Sequence, residues 1–386
     1  MVNYVFLSVY FYSVPNLRFS YKGDWSKRKL NEICQFFKGN GLSKSDLSNE
    51  GFPCILYGEL YTTYKNEVIS DIISKTNTTL ANPFLSRNND LIIPGSGEDP
   101  IDIAVARAIY QNDIILGGDL NILRPKSNVS AAFLSYQLNG VRRYDIAKKA
   151  QGKSIVHLHN SDLKEVLVSI PSYDEQLHIV KLLTKIDEMI ETQSKIIDDY
   201  NSLKMGIYNC MFKENYADYK LKQLAYIVKG DQINNDQLLS NGSYYMMNGG
   251  ASPSGYLDSY NVSENTISIS EGGNSCGYVQ FNSSPFWSGG HCYTIQNVNS
   301  ALIENKYLYH YLKYKEKEIM NLRIGTGLPN IQKKDLENFT ILVPSLLIQR
   351  KNLALFEMLD EKISILNEEL ANLQKQKKYL LCNMFI

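Results

Sequence analysis

The sequence has no net charge, because 40 Lys and Arg balance 40 Asp and Glu. No chain-wide basic field announces a nucleic-acid partner, and any such surface has to be local. A cysteine framework is also missing. Cys34, Cys54, Cys210, Cys276, Cys292 and Cys382 include no C-x-x-C pair, so a reduced intracellular state is the expectation. No apolar run is long enough to cross a bilayer. The opening MVNYVFLSVYFYSV is apolar but short and has no basic flank, so residues 1–17 read as a loose N-terminal tail. Together these features predict a cytoplasmic protein with no membrane contact. Nor is there a Ser-His-Asp order, a pair of catalytic carboxylates or a phosphate-cradling glycine loop.

What the sequence does contain is a repeat. The stretch from Ile170 to Phe212 returns from Val343 to Phe385. Pro171 matches Pro344, Gln176 matches Gln349, Asp187 matches Asp360, and Met211-Phe212 match Met384-Phe385, all 173 positions apart without a gap (344 − 171). Each copy runs for ~37 residues after its proline with no second proline, enough for a helical rod of roughly 55 Å. Phe356, Leu359, Ile363, Leu366, Leu370, Leu373, Lys377, Leu380 and Met384 alternate steps of three and four, an a/d seam. The first copy repeats it at Leu183, Ile186, Ile190, Gln193, Ile197, Tyr200, Lys204, Ile207 and Met211. Two rods with one apolar stripe each can bury both stripes by packing on one another, the alternative being that each caps its own domain; the matched Lys204 and Lys377, suited to fixing a register, favour mutual packing.

The repeat extends beyond the rods. Leu30 to Gly39 matches Leu221 to Gly230, now 191 positions apart, so the second half lost about 18 residues between its fixed flanks (191 − 173). Short strand-like runs at Cys54–Tyr57, Asp90–Pro94, Ile114–Leu116 and Asn121–Leu123 precede a helix at 131–149. The second unit has strands at Tyr244–Met247, Thr266–Ser270, Gly277–Phe281 and Tyr293–Ile295, then a helix at 305–322. The predicted class is α+β: two similar mixed α/β domains, separated by two long helices that pack as an antiparallel coiled coil with pseudo-twofold symmetry. The predicted boundaries are a tail at 1–17, domains at 18–169 and 216–342, and helical spacers at 170–215 and 343–386.

Several patterns resemble catalytic chemistry. Phe37, Gly39 and Gly41 form an F-x-G-x-G, and Asn82-Pro83-Phe84 is similar to the N-P-P-[YF] of adenine-N6 methyltransferases. The second proline is absent, however, and the repeat places Gln232 where the second glycine would be. A turn explains both copies. His157 and His159 share a strand face but have no third metal ligand at a sensible spacing. His291-Cys292 follows Gly289-Gly290, where the first half has Asp119-Leu120, so a structural turn is the reading. No active site and no metal site is predicted.

The arrangement resembles a specificity subunit of a type I restriction-modification enzyme. The resemblance rests on VPNLRF from Val14 with Trp25, on IPSYDEQ from Ile170, on Ile186-Asp187, on the M-F closing each rod, and on the duplicated layout. It implies two target recognition domains, each reading half of a split site on double-stranded DNA. It also implies two modification subunits on the helices, supplying S-adenosylmethionine and the methyl transfer, with restriction subunits outside them and no cofactor in this chain. The second copy departs from the pattern by having Ile348-Gln349 where the first has Glu175-Gln176.

Phosphate-binding candidates are Lys38, Lys44, Arg142, Arg143, Lys148, Lys149, Lys229, Lys313, Lys315 and Arg323. Base-edge candidates are Tyr57, Tyr61, Arg87, Asn88, Asn248, Ser252, Ser254 and Asn274, whose side chains have the geometry to read groove edges. The reading from a different class is a non-catalytic coiled-coil adaptor, with an adenine-N6 methyltransferase a further alternative.

Overall fold

The computed structural model describes residues 14–79, 82–212, 216–325, 327 and 329–386. Most of the expected tail lies outside them. The chain divides into two compact units, one of residues 1–194 with 368–386 and one of residues 195–367. The division runs through both rods, so each unit contains one globular domain, half of the first rod and half of the second.

In the first unit a five-stranded sheet forms the centre. Its strands are β1 (Cys34–Lys38), β2 (Val68–Ile69), β3 (Asp90–Pro94), β4 (Arg107–Ile109) and β5 (Leu120–Pro125), in the order β1-β5-β3-β4-β2. β3 is buried along its whole length, as a strand covered on both faces must be. Helix α1 (Ala131–Asn139) packs on this sheet with Ala131 to Leu138 all buried, and the Ser130 hydroxyl caps it by accepting from the Phe133 amide at 3.3 Å. The single helix expected over 131–149 is broken. Gly140 leaves the helical region at φ −85°, ψ −109°, and a separate short helix spans Arg143–Ala147.

The first rod is one helix, α2 (Tyr173–Met211). Its Gln176 is fully buried and carries three hydrogen bonds: Oε1 accepts from the Ser130 amide at 2.9 Å, and Nε2 donates to Asn128 O at 3.2 Å and Pro171 O at 3.1 Å. One amide thus ties the start of the rod to the start of α1. Glu175 beside it accepts from Arg18 Nε and Nη2, each at 2.7 Å, and from the Trp25 indole at 3.2 Å. The VPNLRF and Trp25 elements are therefore one latch on the rod.

The second unit repeats the plan with β6 (Tyr226–Lys229), β7 (Thr266–Ser270), β8 (Val279–Asn282) and β9 (Cys292–Gln296), in the order β6-β9-β7-β8. Helix α3 (Asn305–Tyr314) packs against the sheet and stops at Lys315, so the helix expected over 305–322 is also two pieces, with Glu316–Met320 separate. The second rod is α4 (Leu346–Asn383). Gln349 copies the role of Gln176, accepting from the Glu304 amide at 2.8 Å and donating to Leu302 O at 2.9 Å and Pro344 O at 2.8 Å. Ile348 has no counterpart to the Arg18 latch.

Each unit pairs the rods antiparallel. In the first, Asp187 of α2 meets Lys377 of α4 at 2.6 Å and Gln193 meets Glu369 at 3.0 Å. In the second, Lys204 of α2 meets Asp360 of α4, and Tyr208 packs edge-on against Phe356 with centroids 4.8 Å apart. The seam positions Leu183, Ile186, Ile197, Phe356, Leu359 and Leu366 are buried, and Ile190, Tyr200, Ile363, Leu370 and Leu373 are half-buried. The M-F ends are swapped. Met384-Phe385, which close the second rod, join Trp25, Phe133 and Tyr136 in the first unit. Phe212, at the end of the first rod, joins Tyr307, Tyr311 and Phe356 in the second.

The seam charges have different surroundings. Lys377 also binds Glu67 at 2.6 Å, and the Tyr136 hydroxyl donates to Asp187 at 2.6 Å. Burial raises the Asp187 carboxyl, and Lys377 pulls the other way. On the other side the Tyr208 hydroxyl bonds His310 at 2.8 Å, and burial pushes His310 down to about 3, with Lys204 adding to the shift. Among the described residues no helix is long and apolar enough to cross a membrane.

Two stability predictions follow from these contacts. Gln176→Ala leaves the Ser130 amide and two carbonyls without their buried partner and should cost about 1–3 kcal/mol, read as a lowered melting temperature. Gln349→Ala should do the same. Lys377→Met leaves Glu67 and Asp187 as facing buried carboxylates and should cost about 3–5 kcal/mol in urea denaturation, with a good part recovered when both acids are also neutralised as amides.

Candidate nucleic-acid interface

Both domains build the same turn at the outer end of their first sheet strand. Lys38 ends β1, and Gly39 follows, donating to Leu120 O at 3.0 Å. A Cβ on Gly39 would lie 2.0 Å from Gly117 O, so only glycine fits beneath the Gly117-Gly118-Asp119 loop. Lys229 ends β6, Gly230 donates to Cys292 O at 2.9 Å, and a Cβ there would lie 2.3 Å from Gly289 O. The F-x-G of the sequence is this close approach. Asn40 completes the turn by donating to Asn82 O at 2.8 Å and accepting from the Phe84 amide at 3.0 Å. The two motifs that resembled a methyltransferase are thus brought together as a structural corner, with Phe37 and Phe84 centroids 5.4 Å apart.

In the first domain Lys38 lies over Gly95, beside Asp119. Partial burial lowers the Lys38 ammonium, and Asp119 opposes the shift. The Ser96 hydroxyl donates to Asp119 at 3.2 Å. The same loop leads through Gly97 to Tyr61, whose hydroxyl is raised by burial, then by Tyr57, Glu98 and Asp102. Lys38 at the strand end, Tyr57 in a turn and Tyr61 in the short helix Glu59–Thr62 are therefore on neighbouring segments. Arg87 and Asn88 are exposed on a separate turn that lines an open pocket of about 740 Å³ with Phe37, Phe84 and Arg124. Arg124 binds Asp90 through two 2.8 Å bonds and lies 5.0 Å from the Phe37 centroid. Sequence reasoning did not single it out, because its partner is on a strand 34 residues earlier.

Lys44 is exposed on the short turn Lys44–Asp46. Arg142 and Arg143 are turned inward. Arg142 binds Asp145 at 3.2 Å and Ile386 O at 3.0 Å, and Arg143 donates twice to Ile101 O. Lys148 is exposed and Lys149 half-buried on the same segment, which belongs to the helix side of the domain.

In the second domain Lys229 binds Glu271 at 2.6 Å, and the Tyr293 hydroxyl donates to the same carboxylate oxygen at 3.0 Å. Asn248 accepts from the His291 amide at 3.0 Å, which joins it to this cluster. Gly273 donates to Pro329 O at 3.1 Å and Ile324 to Asn330 O at 2.8 Å, so the segment after Arg323 lies against the turn that carries Asn274. Ser252 and Ser254 are exposed on the loop after β-paired Met246, with the Ser254 amide donating to Met246 O. Lys313 and Lys315 stand apart: Lys313 binds Val279 O at 3.0 Å and Glu316 at 2.5 Å, and Lys315 binds Glu318 at 2.7 Å. His157 and His159 stack with centroids 6.1 Å apart, and no His, Cys, Asp and Glu group among the described residues could hold a metal.

The sequence matches the family described as type I restriction modification DNA specificity domain over residues 22–199 and 213–375. A putative type I specificity subunit of Mycoplasma pneumoniae is 34% identical over 155 residues, about two fifths of each chain (40% and 41%). A putative type I restriction enzyme MjaX specificity subunit of Methanocaldococcus jannaschii is 23% identical and aligned over 93% of this chain and 92% of its own. Among solved structures, a type I restriction-modification S subunit from M. genitalium superposes with a TM-score of 0.68 over 97% of this chain and 99% of its own, at 20% identity. With both globular domains and most of each rod inside the matched regions, the chain belongs to the type I restriction-modification DNA specificity family and has the two-domain, two-helix organisation of a specificity subunit.

Proposed function

We propose that this chain is the sequence-reading subunit of a type I restriction-modification complex, each domain recognising one half of a bipartite site on double-stranded DNA. The observation that supports it most directly is the duplication of one reading unit, a domain closed by half of each rod, in a chain of this family. Each copy presents a lysine on a glycine-braced turn beside polar loops, the chemistry that suits base edges and phosphates. The long helices α2 and α4 dock two modification subunits, which bring S-adenosylmethionine and methylate adenine. Restriction subunits bind outside them. The chain itself is not catalytic and works in the cytoplasm. Zero net charge fits this role, since the partner subunits supply much of the phosphate contact.

Replacing residues 18–169 by the matching domain of a relative should change one half of the methylated motif and leave the other half unaltered. Methylome sequencing of cells carrying the chimeric complex checks it, and a motif altered in both halves or in neither defeats the reading. The purified chain mixed with S-adenosylmethionine and DNA should transfer no methyl groups, whereas adding the modification subunit should restore transfer.

A further inference from the structure

We propose that Lys38 with Asp119, and Lys229 with Glu271 and His291, are equivalent base-reading groups that keep the lysine fixed and exchange the position of the carboxylate. The proposal rests on the DNA-reading assignment above and names residues within it that set base preference.

Backbone pairing fixes the equivalence. Lys38 faces Asn121 across β1 and β5, and Lys229 faces Tyr293 across β6 and β9. Asn121 then faces Ile93, and Tyr293 faces Ile269. Two residues further along, the Gly95 amide donates to Asp119 O at 2.5 Å and the Glu271 amide donates to His291 O at 2.9 Å. Gly95 therefore corresponds to Glu271, and Asp119 to His291. The acid is on the loop in the first domain and on the strand end in the second.

The space agrees with this exchange. A Cβ on Gly95 would lie 3.2 Å from the Lys38 ammonium but only 2.7 Å from Asp119 O, so the position is within reach of the lysine yet the first domain has no room there for a side chain that meets it. In the second domain one does: Glu271 Oε1 is 2.6 Å from Lys229 Nζ. Its other oxygen is buried with no hydrogen bond, and the His291 ring nitrogen Nδ1 is 3.6 Å away. The Glu271 side chain is only 10% exposed, while those of Lys229 and His291 are 51% and 60% exposed. A half-satisfied buried carboxylate is costly to keep for packing alone. Asp119 is exposed at φ 55°, in the left-handed region that Asp tolerates, and its carboxylate accepts from the Ser96 hydroxyl at 3.2 Å.

The chemistry identifies the ligand as the groove edge of a base pair. An exposed lysine leaves its acid partner at little cost and can donate to guanine O6 and N7. The carboxylate so uncovered accepts from the amino group of cytosine or adenine. Moving the acid from loop to strand end shifts which of two neighbouring bases faces it, and His291 then occupies the place that Asp119 holds in the other domain.

The test uses the full chain assembled with its modification subunit. Glu271→Gln, His291→Asp and Asp119→Asn are compared by methylome sequencing and by gel shift against DNAs varied one base at a time. Glu271→Gln and His291→Asp should change the preferred base at one position of the second domain's half-site by about tenfold, leaving the other half intact. Asp119→Asn should do so in the other half only. Uniform weakening across all DNAs, or an unaltered base preference, overturns the proposal. His291→Asp changes an exposed side chain, so the test stands even if Glu271→Gln fails to fold. If the domain exchange still moves one half-site while these variants move none, only this inference fails. If the exchange itself moves both or neither, the reading beneath it fails.

Discussion

The structure depends on a reciprocal pair of charges in the helical seam. Asp187 and Lys204 are 17 residues apart on α2, and Asp360 and Lys377 are 17 apart on α4. Asp187 meets Lys377, and Lys204 meets Asp360. An antiparallel register that makes one of these pairs also makes the other. Slipping by a helical turn would leave Asp187, Lys204 and Lys377 in the seam, and the more exposed Asp360, without their partners, at substantial cost for the buried charges, so the pairs select one alignment where the apolar seam alone would tolerate several.

The same frame carries unlike neighbours. Around Lys377 the domain contributes Glu67 and Tyr136, an acidic surrounding that holds the ammonium above its usual range although burial alone would lower it. Around Asp360 the domain contributes His310, kept neutral by burial and hydrogen-bonded to Tyr208. The copies have diverged in how they neutralise the seam while keeping the ions that align it. The buried glutamines show the opposite behaviour, since Gln176 and Gln349 make corresponding bonds to a helix start and two carbonyls.

The rods, their direction and the two-domain plan were legible because a seam of period 3.5 and a 173-residue offset are strong, local signals. The breaks at Gly140 and Lys315 were not, since the apolar period continues past both. At Gly140 the second rod closes in, with Leu381 3.4 Å from where a Cβ would be, a tertiary neighbour that no local pattern shows. The phosphate-binding candidates chosen by residue type scattered because their partners are tertiary too. Whether Arg142 or Lys38 is available depends on partners such as Ile386 and Asp119 that only the folded chain supplies. Asp119 and His291 were seen in sequence as turn residues at matching places, but their link to Gly95 and Glu271 needed the strand register.

The segment between the first sheet strand and the central strand, β3 or β7, differs most between the domains. Asp90 follows Lys38 by 52 residues, and Thr266 follows Lys229 by 37. The longer version supplies three strands of a four-stranded sheet that Ile115–Leu116 completes, and the shorter supplies two strands of a three-stranded sheet that Trp287–Ser288 completes, yet the β1-β5-β3 and β6-β9-β7 pairings keep the same register. Lengthening a chain excursion costs little more than slow-growing closure entropy. Descendants of this architecture are thus free to grow or trim that excursion, acquiring new outer contours while the braced lysine beneath stays where it is.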